Sequence, residues 1–506
     1  MPLAAAAGLR PYYGDLHNHC NLSYGHGDLD TALSNARRQL DFVSITGHAY
    51  WPDMPVDDPR VAHIVDFHVK GFARLEKAWP SHFEQLAAYH SPGSFTVFPG
   101  YEMHSGKHGD YTIVLRDLDQ QDLLKADDPD KLLNLLRASY GSRAFAFPHH
   151  IGYRTGARGI NWASFEEALS PVLEMISMHG CAETSLGDRP FLHSMGPSDG
   201  PNTVHAGLNA GHVFGVLGNT DHHSGYPGSY GHGRSAIYAR ENTSEELWAS
   251  LFARHTNALT GDNSHLLMSV NDAIQGDMIA ATANAQMKIE AVAGSYIDYI
   301  DVVRNGTLYS RASPALNPSQ VATDTGLIET LLVLELGWGG RGSHHDWDGV
   351  VTLEGGEVLS VEPRLRGPEV VSPTEACEAA QHQSVVENDQ TTIRFSVRAH
   401  ANPNNFTAAT QAIAARIRIR PGARIVAELS GHTVSVDAER LLQGALSGNI
   451  GPIDSPAFRF HPLPRPQDWQ WKGAIPLGEI KSGEWLMARM RQSNGQWAWT
   501  SPVFCR

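Results

Sequence analysis

The sequence predicts an α/β barrel followed by a β-rich region. Two observations carry the first half: apolar runs of strand length recur, and each delivers a His, Glu or Asp just beyond its end. The second half rests on a switch, past about residue 262, to apolar residues at every other position.

Tyr12 to Leu16 reads as the first strand, within Gly14-Asp15-Leu16-His17-Asn18-His19-Cys20. Strand side chains repeat every two residues, so His17 and His19 project from one face and can grip one ion. A lone His-x-His is weak, because such pairs are often merely solvated. Recurrence strengthens it: Phe42–Thr46 leads to His48, Ser94–Pro99 to Glu102, and Ala144–Pro148 to His149 and His150. Val172–Ser177 leads to His179, and Val213–Leu217 to Asp221 and His223. A β/α barrel collects its site from the C-terminal ends of several strands. Chance placement of 27 histidines does not comfortably supply the whole series.

Between these strands, Asp30–Gln39 has helical composition with Asp30 or Thr31 as N-cap. Residues 52–92 form an excursion rich in His and Trp, helical near Phe67–Tyr89, whose place is over the site mouth. Tyr111–Leu115 reads as a strand, Asp128–Ser139 as a helix and Ser244–His255 as the closing helix. Loops between them bring Tyr153, Arg154, Arg158 and Trp162, then Arg189, His193, His205 and His212. Beyond 262 the alternating runs are Met287–Val292, Tyr299–Arg304, Thr392–Val397 and Ile417–Ile419, and Asn305-Gly306 is a hairpin turn signal. Gly/Pro-rich stretches around 335–375 and 449–468 read as looser connections.

At 506 residues the chain exceeds one ordinary core, so two domains are expected, 1–262 and 263–506. A formal net charge of -15 without a Lys/Arg cluster argues against a nucleic-acid surface. Cys20, Cys181, Cys377 and Cys505 are far apart and form no CxxC pair, which suits a reducing compartment. Met1–Gly8 is too short for a signal-peptide core, and no window approaches the ~20 apolar residues that span a bilayer. A cytoplasmic protein acting on a small molecule is expected, with neither nucleic acid nor membrane as partner.

YYGDLHNHC, followed in order by SYGHG, TGH, PGYE, PHH, SMHG and NTDHHSGYPG, resembles the PHP (polymerase and histidinol phosphatase) metallohydrolase superfamily, nearest its DUF3604 and carbaryl-hydrolase-like branches. The resemblance covers about the first 262 residues, with a loose likeness of the remainder to an Ig-like β tail. It implies a distorted (β/α)7 TIM-like barrel, a sandwich-type accessory domain, and two or three Zn, Mn or Fe ions. His17 and His19 would join Glu102 and Asp221 at the first ion. Glu102 would bridge to a second, with His149 or His150 and with His179. The third would take His26, His48 and His223, with His26 standing where many members carry Asp. His222 points away from Asp221 and His223 and reads as a supporting neighbour.

Cations bridged by a carboxylate lower the pKa of bound water towards neutral, so the expected reaction is attack of metal-bound hydroxide on an ester-type centre. Phosphomono- or diesters lead narrowly over carbamates, carboxylic esters or amides. His108 is a candidate general acid; Arg154 and Arg189, with Arg158 and Arg234, are candidate partners for substrate oxygens. Surface placement is an equal reading for His108 and the plainer one for each arginine. Trp and His in 50–90 would line an aromatic-accepting pocket, or simply pack the inserted helix. A non-catalytic protein with structural metals is the alternative class, disfavoured because structural zinc sites are usually Cys-rich. The β-rich half could shape the mouth, bind a polymer or mediate oligomerisation.

Overall fold

Strand β1 (Arg10–Asp15) and helix α1 (Leu29–Arg37) open the fold, and β2 (Phe42–Tyr50) follows, parallel to β1. In this computed structural model the described residues are all of 1–506 except 1–7, 120, 188, 190, 192–194, 315–325, 341, 369, 371, 373–381 and 402–408. His193 and Cys377 lie outside the described residues. The N-cap of α1 is Asp28, whose side chain accepts the Thr31 N–H at 2.7 Å, and not Asp30 or Thr31. Gly27 and Asp28 keep extended or left-handed backbone, so the helix starts only after them.

Next come α2 (Ala62–Tyr89), β3 (Thr96–Met103), β4 (Asp110–Leu115), α3 (Pro129–Tyr140) and β5 (Ala144–His149). Helix α2 buries His68, Gly71, Leu75, Trp79, His82, Phe83 and Leu86, a stripe at three- and four-residue spacing. Asp128 caps α3, ahead of Pro129 in the first turn. Then β6 (Val172–Ser177), β7 (Gly180–Cys181), α4 (Val204–Asn209), β8 (Gly215–Gly218), β9 (Arg234–Ala239), α5 (Ser244–Phe252) and β10 (Thr256–Leu259) complete this half.

Strands β1, β2 and β3 pair in parallel, while β4 runs antiparallel between β3 and β5. On its other side β1 pairs antiparallel with β9, and β9 with β10. Strands β6 and β8 pair in parallel in a separate three-stranded sheet with β7. The ladder order is therefore mixed α/β and does not itself trace a closed (β/α)7 ring. One apolar core nevertheless joins both sheets: Leu16, Phe42, Phe98, Phe145, Val172, Leu217 and Ile237 pack together.

The large sheet does not stop at residue 262. β10 pairs antiparallel with Trp497–Thr500, which pairs with Trp485–Gln492. The region beyond is rich in β-structure, as its alternation predicts. Asn305 and Gly306 take φ of 50° and 78°, the left-handed pair a tight hairpin requires. Around 335–375 the expected loose connection is instead largely strand: His345–Arg364 spans 20 residues and pairs along Gln411–Leu429 in an eight-stranded antiparallel sheet. Gly355 and Gly356 sit at a register shift, between Glu354 and Gly356, so they bend the strand and do not end it. No disulfide joins the described cysteines, Cys20, Cys181 and Cys505, all buried. No helix among the described residues is long and apolar enough to cross a membrane.

Candidate metal centre

His17 and His19 lie just past β1, His48 within β2, Glu102 within β3, and His149 ends β5. His179 follows β6, and Asp221 and His223 follow β8. All of them converge on one place. Glu102 Oε2 stands 3.2 Å from Nε2 of His17, 3.2 Å from Nε2 of His19 and 3.5 Å from Nε2 of His48. Its other oxygen is 3.1 Å from Nε2 of His149. Asp221 gathers a second set, with His19 Nε2 at 2.9 Å from Oδ1, and His179 Nε2 at 3.1 Å and His150 Nε2 at 3.3 Å from Oδ2.

The far side of each ring shows why the near side faces inward. His17 donates from Nδ1 to Glu174 Oε2 at 2.8 Å, and His223 from Nδ1 to the Asp221 carbonyl at 2.8 Å. These acceptors fix the Nδ1–H tautomer and leave Nε2 as a bare lone pair. Ser23 Oγ, 2.9 Å from His48 Nδ1, and Thr112 Oγ1, 3.0 Å from His149 Nδ1, hold the other two rings in the same sense. Bare nitrogens turned towards carboxylate oxygens repel them unless cations lie between. The spacings fit that reading: a metal about 2.1 Å from its ligands separates them by about 3.0–3.4 Å in octahedral or tetrahedral geometry. The donor set therefore suits divalent cations. Five groups of three side chains place their donor atoms within 4.8 Å of one another: His19/His48/His223, His17/His19/Glu102, His48/Glu102/His104, Asp110/His149/His150 and His150/His179/Asp221.

The electrostatics say the same. Burial depresses His17, but Asp221 and Glu174 outweigh it and lift the imidazole well above the usual histidine range. At His48 burial prevails, reinforced by the neighbouring His19, and holds the ring well below that range. Burial and His19 push His223 down to about 3. Glu102 and Asp221, which burial alone would raise, are drawn well below the carboxylate range by the surrounding imidazoles. Without cations the acids hold a proton on His17, a positive charge that a metal at Nε2 would replace.

Both imidazoles of the His149–His150 pair are buried and serve different groups, one on Glu102 and one on Asp221. His150 and Asp221 take left-handed backbone, φ 53° and 52°, which lets adjacent residues aim at different acceptors. His26 is not brought in. Its Nε2 lies 3.3 Å from the Ser372 carbonyl, and in the histidine triad His19 stands with His48 and His223 where His26 was expected. His222 points away, as expected: its Nδ1 accepts the Ser224 N–H and its ring stacks on His232.

His104 and Asp110 were not singled out in the sequence. His104 is two residues beyond Glu102, the same period-two signal as His17 and His19, and Asp110 opens β4. Arg158 joins them, donating to Asp110 Oδ2 at 2.7 Å and to His104 Nδ1 at 2.7 Å. Of the candidate polar catalysts, none of His108, Arg154 and Arg189 lines this cavity. His108 Nδ1 is 2.8 Å from Ser164 Oγ behind a loop. Arg154 is 61% exposed and pairs with Asp199, and Arg189 lies in the loop after β7. Arg234 is fully buried and bonds Asn263 and the Gly228 carbonyl, a structural role.

A cavity of about 430 Å³ opens over the cluster. Tyr24, Ile64, Phe67, Met178, Met195 and Val370 line it together with His48, His150, His179 and Asp221 of the cluster. Tyr24 stacks on His48 with ring centres 3.5 Å apart, and its hydroxyl is 3.0 Å from His68 of α2. The inserted helix thus brings Ile64, Phe67 and His68 to the cavity, while its Trp79, His82 and Phe83 are buried in packing.

No protein-family model matches this chain, and no curated protein does either. Among solved structures it is similar to a two-domain protein from Bacteroides vulgatus containing a predicted PHP-like metal-dependent phosphoesterase, at 13% identity and TM-score 0.33 over 85% of this chain and 96% of that one. It is also similar to PsfC from Pseudomonas syringae, at 17% identity and TM-score 0.32 over 49% of this chain and 90% of that one. At such distances a likeness fixes neither fold nor activity.

Proposed function

We propose that this protein is a metal-dependent hydrolase of an ester-type bond, of the PHP kind, holding two or three divalent ions among His17, His19, His48, Glu102, His149, His150, His179, Asp221 and His223. The observation that carries the proposal is the set of rings anchored through Nδ1, with bare Nε2 atoms turned onto Glu102. Divalent cations there supply Lewis acidity and lower the pKa of a coordinated water. The chain's own contribution is positioning. Glu174, Ser23 and Thr112 orient the donor rings, and Glu102, with imidazoles on both its oxygens, is placed to bridge.

Two substrate classes stand. Phosphoesters rest on the resemblance in the sequence. Carboxylic esters, carbamates or amides are favoured by the walls: the one guanidinium among the described lining residues, Arg158, is already bound to Asp110, and Tyr24, Ile64, Phe67 and Val370 suit an uncharged, partly apolar group. Turnover of phenyl phosphate against phenyl acetate and a phenyl carbamate, with Mn or Zn added, tests both. We expect faster hydrolysis of the uncharged esters. Activity on none of them, with metal bound, overturns the hydrolase reading.

The proposal extends to the architecture. Residues 1–262 form the metal-holding unit, a distorted barrel supported by the core shared between the two sheets, and 263–506 its accessory part. The substrate is a small molecule, the compartment cytoplasmic, and neither nucleic acid nor membrane is a partner, in keeping with the acidic charge.

A further inference from the structure

We propose that a second cavity, remote from the metal cluster, binds a small oxyanion, carboxylate or phosphate, on Arg366. The cavity measures about 450 Å³, within the range of small-molecule sites, and lies where the eight-stranded sheet meets the loop following Trp485–Gln492. Arg364, Arg366 and Arg459 line it together with Tyr296, Asn494 and Gln496.

The three guanidinium groups differ in their partners. Arg364 is matched, by Asp262 at 3.1 Å and Glu362 at 3.1 Å. Arg366 is half-buried, stacks 4.8 Å above the Tyr230 ring, and donates only to the carbonyls of Thr410 and Tyr230. No carboxylate of the described residues pairs with it. Arg459 sits across the ladder from Glu335, yet that carboxylate is taken by His461 Nε2 at 2.8 Å and Thr410 Oγ1 at 2.8 Å.

A guanidinium hydrogen-bonded only to carbonyls has no carboxylate in contact, Glu335 and Asp262 acting on it only from farther off, and partial burial makes its charge costly. Burial indeed draws Arg366 below the ordinary arginine range. A purely structural latch between Thr410 and Tyr230 explains two hydrogen bonds. It does not explain the second unpaired arginine, or an open space beside both. The fork of a guanidinium matches the paired oxygens of carboxylate and phosphate alike. Gln496, whose amide oxygen accepts from Thr260 Oγ1, keeps its NH2 as a further donor in the wall.

The inference is independent of the hydrolase reading and is tested on the full chain. Thermal unfolding and calorimetric titration are followed with inorganic phosphate and with glucuronate, against chloride at equal ionic strength. We expect a saturable rise in Tm with at least one of the two, the responding probe telling phosphate from carboxylate. Arg366→Gln and the exposed Arg459→Gln should each weaken that binding about 10-fold or more while metal content stays unchanged. Because phosphate also suits a metal cluster, the response must persist in His19→Ala. Absence of any rise beyond chloride, survival of the rise in both arginine variants, or its loss in His19→Ala alone overturns the proposal.

Discussion

The Nε2 atoms of His17 and His19 face each other at 3.2 Å. The His17 tautomer set by Glu174 leaves a lone pair at Nε2, which meets an Nε2–H of His19 or, with a divalent ion bound, would share that ion with it. Purified protein is therefore expected to carry at least two equivalents of divalent metal by elemental analysis. Chelation should lower Tm, since a ligand at 100 times its Kd contributes about 2.7 kcal/mol. An unchanged Tm after complete metal removal counts against the site.

His19 and His26 make a discriminating pair. His19→Ala removes a nitrogen close to both Glu102 and Asp221, and is expected to lower bound metal and cut turnover by about 100-fold or more. His26→Ala should leave metal content intact, because that ring meets the Ser372 carbonyl. Equal metal loss in both variants would show the assignment of the triad to be mistaken.

Glu174 touches no other side chain of the cluster but His17, which it orients, and Asn219, which donates to it at 3.0 Å. Glu174→Gln keeps the shape and removes the charge, so metal affinity should fall about 10- to 100-fold with the fold intact. Competitive chelator titration reads the change; wild-type affinity would rule out an orienting role.

Acid lability follows from a histidine far from the cluster. Burial pushes His82 of α2 down to about 4 although its Nδ1–H donates to the Trp79 carbonyl. The folded state then holds this ring neutral while the unfolded chain protonates below the ordinary 6.5. The unfolded state binds more protons between those values, so stability falls as pH drops from about 6.5 towards 4. His82→Gln should remove about 2 kcal/mol of the loss between pH 7 and pH 5. Denaturant melts at the two pH values measure it, and parallel acid limbs would exclude His82 as a source.

Much of the cluster was legible because a strand end followed by His, Glu or Asp is a local pattern. Glu102, His149 and Asp221 declare themselves within a few residues of apolar runs. His104 is less legible because it stands alone after Glu102, although its spacing from Glu102 repeats that of His17 and His19. His26 was over-read from a family position, and only the chain's path past Ser372 shows its ring leaving the cluster. The long strand His345–Arg364 was missed because glycines and Pro363 suggest loops locally. Its pairing with Gln411–Leu429 is non-local and outweighs that tendency.

Cutting the chain after residue 262 tests how separable the halves are. It would strip β10 of its partner Trp497–Thr500 and expose apolar surface that Trp499, fully buried, now covers. Fragment 1–262 is expected to aggregate or to be cleaved rapidly by protease, compared by gel filtration and limited digestion with the full chain. A monomeric, protease-resistant fragment would disprove this dependence.

That same ladder has a consequence for biogenesis. Trp497 donates its backbone N–H to Thr260 from 237 positions further along the chain. A ribosome therefore delivers the edge that completes the sheet long after the His, Glu and Asp residues of the cluster have emerged. Until then the nascent first half carries an open, adhesive border that calls for chaperone protection during synthesis.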